Sequence, residues 1–214
     1  MKRFLIVLLL LFVVGFAVWK VIFDKKKKPS GPKPEPIAVS SHSDAFNQSM
    51  QQMMNAYYAM TEAFVNWDTA AVNKTTVDLK NSLDSLKLQE MAKDSAIYPT
   101  VQSQWEAIKT EIAGLIADEG LSEKRASLNM LSQQIFDLLR IVRYDAAKVY
   151  YQECPMALND YEMSAFWLSK EGEDEKRRNP YLGLHDPKYS KGMLKCGETR
   201  DSINFIAAAD TTNK

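Results

Sequence analysis

The chain has 214 residues, with 27 Lys/Arg against 27 Asp/Glu and a formal net charge of zero. That length fits one domain with a short appendage and is enough to bury a core. The charge is unevenly placed: residues 1–28 carry seven basic side chains and one acid, leaving 20 basic and 26 acidic residues for the remainder. A mildly acidic remainder argues against nucleic-acid binding, which needs clustered positive charge, and two cysteines are too few for a disulfide scaffold.

Lys2-Arg3 precedes an apolar run from Phe4 to Trp19, and Val21-Ile22-Phe23 resumes it after Lys20. As a helix, Phe4 to Phe23 would span about 30 Å, the thickness of the hydrocarbon core. Lys20 lies near one end, where its stem can snorkel. Residues 1–28 are therefore expected to be an uncleaved membrane anchor with basic flanks. A cleavable signal peptide is the alternative, but the run is long for an h-region and no small-x-small site follows it. Lys25 to Lys28 favour a cytoplasmic C-terminal flank by the positive-inside tendency. An anchor that begins at residue 4 instead behaves like an export signal, and the periplasmic side is the expectation. Residues 29–42, with Pro29, Pro32, Pro34 and Pro36, read as a semi-rigid linker.

Helical periodicity begins at Ser43. Phe46, Met50, Met53, Tyr57, Met60 and Phe64 recur at spacings of three and four and share one face. Asp68 is the expected N-cap of a second helix with a stripe of Val72, Leu79, Leu83 and Leu86. Pro99 opens a third helix carrying Val101, Trp105, Ile108, Ile112 and Leu115. Gly120 ends it, and Ser122 is the expected cap of a fourth helix with Leu128, Leu131, Ile135, Leu138 and Val142. Four amphipathic helices on short connections predict a mainly α fold, an antiparallel four-helix bundle over 43–143. Residues 144–205 then read as a small loop-rich lobe with short strands, built around Val149-Tyr150-Tyr151 and Ala165-Phe166-Trp167-Leu168. The tail from Asp201 is expected to fray apart from Ile203 and Phe205, with 206–214 disordered.

Both cysteines lie in this lobe, each close to a methionine: Cys154-Pro155-Met156 and Met193-Leu194-Lys195-Cys196. Asn179-Pro180-Tyr181-Leu182-Gly183 between them is turn chemistry that can bring the two ends together. Cys154, Met156, Met193 and Cys196 would make a soft metal site suited to copper(I). A disulfide between Cys154 and Cys196 is the competing reading; it would close a loop of about 43 residues, worth roughly 4 kcal/mol on the chain-entropy estimate. His185 is more simply a solvated loop residue than a further ligand, and His42 is expected to be exposed. Met50, Met53, Met54 and Met60 are expected to pack in the core rather than collect metal. Tyr150, Tyr151, Trp167 and Tyr181 read as the small core of the lobe.

Tyr150-Tyr151-Gln152, Cys154-Pro155-Met156-Ala157, Trp167-Leu168-Ser169, Asn179-Pro180-Tyr181, Gly183, Met193-Leu194 and Cys196-Gly197 together resemble an uncharacterised exported bacterial domain family. That family is common in Bacteroidota and joins a helical region to a CPMA…WLS…NPY.G…ML.CG tail. Similar domains occur fused to periplasmic adaptors of copper/silver-type efflux pumps. The resemblance implies a metal-handling domain held at the inner membrane by its N-terminal helix, facing the periplasm, with an efflux adaptor or other envelope protein as partner.

Catalysis is not expected. The chain has two histidines, neither near a plausible nucleophile in sequence, and it lacks HExxH, P-loop and dinucleotide patterns. The alternative to metal handling is therefore a non-enzymatic envelope interaction protein, its helices binding a partner and its cysteines bridged.

Overall fold

Residues 42–206 are described by the computed structural model of the chain. The expected anchor, nearly all of the linker and residues 207–214 lie outside them. Among the described residues no helix is long and apolar enough to cross a membrane.

The order is four helices and then three strands. The helices are α1 (Asp44–Val65), α2 (Thr69–Asp84), α3 (Tyr98–Ala117) and α4 (Leu121–Ile141), and the strands are β1 (Val149–Leu158), β2 (Met163–Ser169) and β3 (Glu198–Ile203). The fold is thus mainly helical with a small antiparallel sheet at its C-terminal end. Ser43 Oγ caps α1 by accepting from the Phe46 N–H, and Asp68 caps α2 by accepting from the Ala71 N–H. Proline stands in the first turn of α3. The fourth start differs from the sequence expectation: Gly120, not Ser122, is the N-cap, and no side chain bonds there.

The periodic stripes are buried. Phe46, Met50, Met53, Tyr57, Met60 and Phe64 are all at 0% exposure, so the methionines of α1 are core. Polar links between helices set their directions. His42 bonds to the Val142 carbonyl at 2.6 Å and Tyr57 to Ser132 at 2.7 Å, so α1 runs against α4. Trp105 of α3 donates to the Leu83 carbonyl of α2 at 3.1 Å, and Gln104 donates to the Gln134 carbonyl of α4 at 2.9 Å. His42 is therefore not exposed: its side chain retains 2% of its accessible surface and stacks on Phe46 at 4.3 Å.

The sheet order is β2-β1-β3, antiparallel throughout. Its β2 edge is covered by helix side chains. The Phe166 N–H donates to Asn129 of α4 at 2.9 Å, and the Leu168 N–H donates to the hydroxyl of Tyr57 at 3.0 Å. Outward-facing amides of an edge strand, which would otherwise template another chain, are thereby satisfied. Trp167, Leu168, Ala165, Cys154 and Tyr181 belong to the same buried cluster as the helical stripes. The sheet forms one core with the helices: of the four aromatic residues expected to make a core of its own, Trp167, Tyr181 and Tyr151 extend the helical core, and Tyr150 stands outside it. Tyr151 shows this directly, sandwiched between Phe136 of α4 at 4.3 Å and Phe166 of β2 at 4.9 Å. The C-terminal segment also departs from expectation: Asp201, Ser202 and Ile203 are ladder residues of β3, paired with Tyr151, Tyr150 and Val149.

Candidate functional site

Cys154 lies on the central strand β1, opposite Ala165 of β2. The next residue, Pro155, has no N–H for the ladder, and the β1–β2 register slips between Cys154 and Leu158. The displaced Met156 N–H turns back onto the Cys154 sulfur. Cys196 reaches the same place from the far end of the lobe. A 3-10 turn at Lys191–Met193 leads into it, and its N–H donates to the Met193 carbonyl at 2.9 Å.

Three further bonds fix the Cys196 segment. The Asn179 N–H donates to the Leu194 carbonyl at 2.8 Å, Asn179 Nδ2 donates to the Cys196 carbonyl at 3.0 Å, and Arg177 donates to the Lys195 carbonyl at 3.4 Å. Arg177 is itself buried and held by Gln152 Oε1 at 3.0 Å, which also accepts from Thr199 at 3.2 Å. Gly197 follows at φ +129; a Cβ there would lie 2.5 Å from the Glu153 carbonyl oxygen and 2.9 Å from the Trp167 ring. Only glycine lets β3 close on β1 at this point.

Cys154 and Cys196 are free cysteines, and hydrogen bonding between their side chains favours the thiolate at Cys154. That bond is the largest influence on Cys154 and lowers its pKa from 9.0 to about 7; burial opposes it, while Met156 N–H and the Asn179 side chain add to it. Cys196 is pushed up, first because its proton is shared with the Cys154 sulfur and then by burial, with the Arg177 guanidinium opposing. Cys154 is fully buried, whereas Cys196 is half-buried at an open cleft of about 400 Å³ lined by Glu153, Pro155, Gly197, Glu198 and Arg200. Arg200 pairs with Glu153 at 2.8 Å and with Glu198 at 2.6 Å across its mouth.

Met156 and Met193 are half-buried and pack against the core cluster. The Met156 N–H acts on the Cys154 thiol, whereas the Met193 carbonyl accepts from the main-chain N–H of Cys196. His185 is exposed. Among the described residues no group of three or more His, Cys, Asp or Glu is placed to hold a metal ion. The sulfur donors that the structure brings together are thus the two cysteines. Sequence reasoning located the cysteines but not Asn179, Arg177 or Gln152, the buried polar residues that position them. The signal for Asn179 was its place in the Asn-Pro-Tyr turn, read there only as turn chemistry.

Four helices closed by a three-stranded sheet define the class of this domain. Residues 53–146 match the model of a family described as "Protein of unknown function (DUF3347)". The matched stretch runs from α1 through α4 and stops before β1, so both cysteines lie beyond it. No curated protein and no solved structure matches the chain.

Proposed function

We propose that the chain is a membrane-anchored, non-enzymatic periplasmic domain that binds a soft metal ion, Cu(I) foremost, for sequestration or transfer to an efflux system. Cys154 and Cys196 serve as thiolate ligands, with Met156 and Met193 as weaker thioether ligands that permit exchange. The observation that carries this reading is that the fold brings the two cysteines together, the Cys196 side chain acting directly on the buried Cys154. A soft monovalent ion suits two neighbouring sulfurs, whereas structural zinc asks for four ligands. Cys196 opens to the cleft and gives the ion a way in; Cys154 anchors it in the core. Loading replaces the shared proton, so binding releases protons and weakens in acid. The anchor rests on the apolar run Phe4 to Phe23, and the efflux connection on the tail motifs that resemble Bacteroidota-type domains fused to efflux adaptors.

The test is a competitive Cu(I) titration of the reduced full chain against a chromophoric chelator, with a Cys154→Ser/Cys196→Ser control. Stoichiometric binding lost in the double variant is the expected result. Failure to outcompete even a weak chelator ends the metal reading.

The same adjacency of sulfurs favours one second reading, a structural Cys154–Cys196 bridge in an envelope interaction protein whose helices bind a partner. An exported compartment permits such a bridge. Thiol counting on protein taken from the cell envelope without reductant separates the two: a pair found fully oxidised supports the bridge, and two free thiols count against it.

A further inference from the structure

Away from the cysteines, three loops and the start of α4 enclose a pocket of about 130 Å³ around Arg125. Arg125 retains only 7% of its accessible surface, yet its guanidinium is barely used. Nε makes one long bond, 3.4 Å to the Pro180 carbonyl, and Nη2 is buried with no hydrogen-bond partner among the described residues. Burial of a cation without in-plane acceptors is costly, and native structures rarely leave it so without a ligand or water.

The rest of the pocket is built to hold that guanidinium in place. Its face lies 3.8 Å from the centre of the Trp67 ring, which leaves the in-plane edge as the available donor surface. Trp67 is fixed in turn by donating to the Leu182 carbonyl at 2.9 Å, and it adopts φ +56, unusual for a bulky residue. Asn159, Asp160 and Tyr161, the β1–β2 turn, also line the pocket, each with positive φ. Asp186 is the other charge in the pocket. It is occupied by the Tyr161 hydroxyl and by the N–H groups of Lys188 and Tyr189, and it acts on Arg125 without forming an ion pair.

We infer that this pocket is a binding site for a small free monocarboxylate, taken through the in-plane edge of the Arg125 guanidinium, with Ser122 at the first turn of α4 on its rim. The chemistry follows from the donor: a planar fork stacked on an aromatic face matches a carboxylate. The volume admits a compact organic acid. Asp186 sets the affinity, because its negative charge competes with the ligand for the same cation.

The experiment is a ¹H–¹⁵N NMR titration of the full chain in mild detergent, following the Arg125 Nε–H and Trp67 indole signals. Sodium acetate and sodium lactate are the probes, with sodium chloride at matched ionic strength as the control. Saturable shifts of both signals with carboxylate, absent with chloride, are expected. Arg125→Lys removes the fork and weakens binding by about tenfold or more. Asp186→Asn, which keeps an acceptor for Tyr161, tightens it several-fold. Shifts no larger than those with chloride overturn the assignment, as does Arg125→Lys binding as well as the parent. Should Arg125→Lys fail to fold, Asp186→Asn decides: tighter binding supports the site and unchanged affinity overturns it.

Discussion

The side chain of Asn179 holds the main chain of Cys196, its Nδ2 donating to the Cys196 carbonyl at 3.0 Å. The same side chain donates to the Cys154 sulfur. Its Oδ1 accepts from the N–H groups of Tyr181 at 2.8 Å and Leu182 at 3.1 Å. Asn179 is at 0% exposure, so no water replaces these bonds when they are lost. Asn179→Ala leaves two buried N–H groups unpaired, and at about 1–3 kcal/mol each the expected loss is roughly 2–6 kcal/mol, read from urea unfolding. Asn179→Asp keeps the acceptor but sets a carboxylate against the Cys154 thiolate. It is expected to recover part of the stability and to raise the pH midpoint of thiolate absorbance. An alanine variant as stable as the parent would remove Asn179 from its assigned role.

The cysteine pair gives stability a pH dependence with a definite sign. In the unfolded chain both thiols titrate near their ordinary value of 9.0; in the folded chain Cys154 titrates at about 7 and Cys196 is pushed up. Between pH 7 and 9 the unfolded chain binds more protons than the folded one, so stability rises with pH. Above 9 the unfolded chain has released two protons and the folded chain one, so stability falls. The contribution of the pair therefore peaks near pH 9 and fades as pH drops through 7. Urea midpoints of reduced parent and Cys154→Ala/Cys196→Ala protein from pH 6 to 10 check this through their difference. A difference that is flat across that range contradicts the shared proton.

The helices were legible because burial leaves a 3.6-residue period in the sequence. Phe46, Met50, Met53, Tyr57, Met60 and Phe64 all sit where that period puts them. The third strand left no such mark. In β3 only Ile203 is buried while Glu198 to Ser202 are exposed, so alternation never develops along Glu-Thr-Arg-Asp-Ser-Ile. What makes it a strand is its ladder with β1, a contact between residues about fifty apart. The site was half legible for the same reason. The turn chemistry between the cysteines pointed to their meeting, but the bonds that position them come from buried polar side chains with no periodic signature. His42 was misjudged because the carbonyl that buries it, Val142, lies a hundred residues away.

His42 and Glu90 form a clasp at the open end of the helices. His42 bonds Val142 at 2.6 Å, while Glu90 accepts from the Ser43 N–H at 2.9 Å and from the Ser43 hydroxyl. Together they tie the entry of α1 to the exit of α4 and to the 3-10 turn at Leu88–Lys93. His42→Ala removes one hydrogen bond and the stacking on Phe46, for an expected loss of about 1–2 kcal/mol. Hydrogen exchange of the first turn of α1 should quicken in this variant while that of β1 holds steady. Uniform acceleration across both would mean that His42 supports the whole core rather than one helix end.

Gly197 couples the cysteine site to the sheet, and it can be tested without touching a sulfur. Its φ of +129 is one that side-chain-bearing residues rarely adopt, and a Cβ would press on the Glu153 carbonyl at 2.5 Å. Glu153 pairs with Glu198 where β3 meets β1, so the clash falls on the residue that closes the sheet and adjoins Cys154. Backbone strain and clash together set an expected cost of at least about 2 kcal/mol for Gly197→Ala. Relief of the clash requires β3 to move away from β1 and to carry Cys196 with it. Gly197→Ala is therefore also expected to weaken Cu(I) binding in the competition assay, although all four sulfur residues remain. Gly192→Ala is the matched control, since a Cβ there meets nothing within 4 Å. If the two alanine variants are equally stable and bind copper alike, Cys196 is not held by the close approach at Gly197.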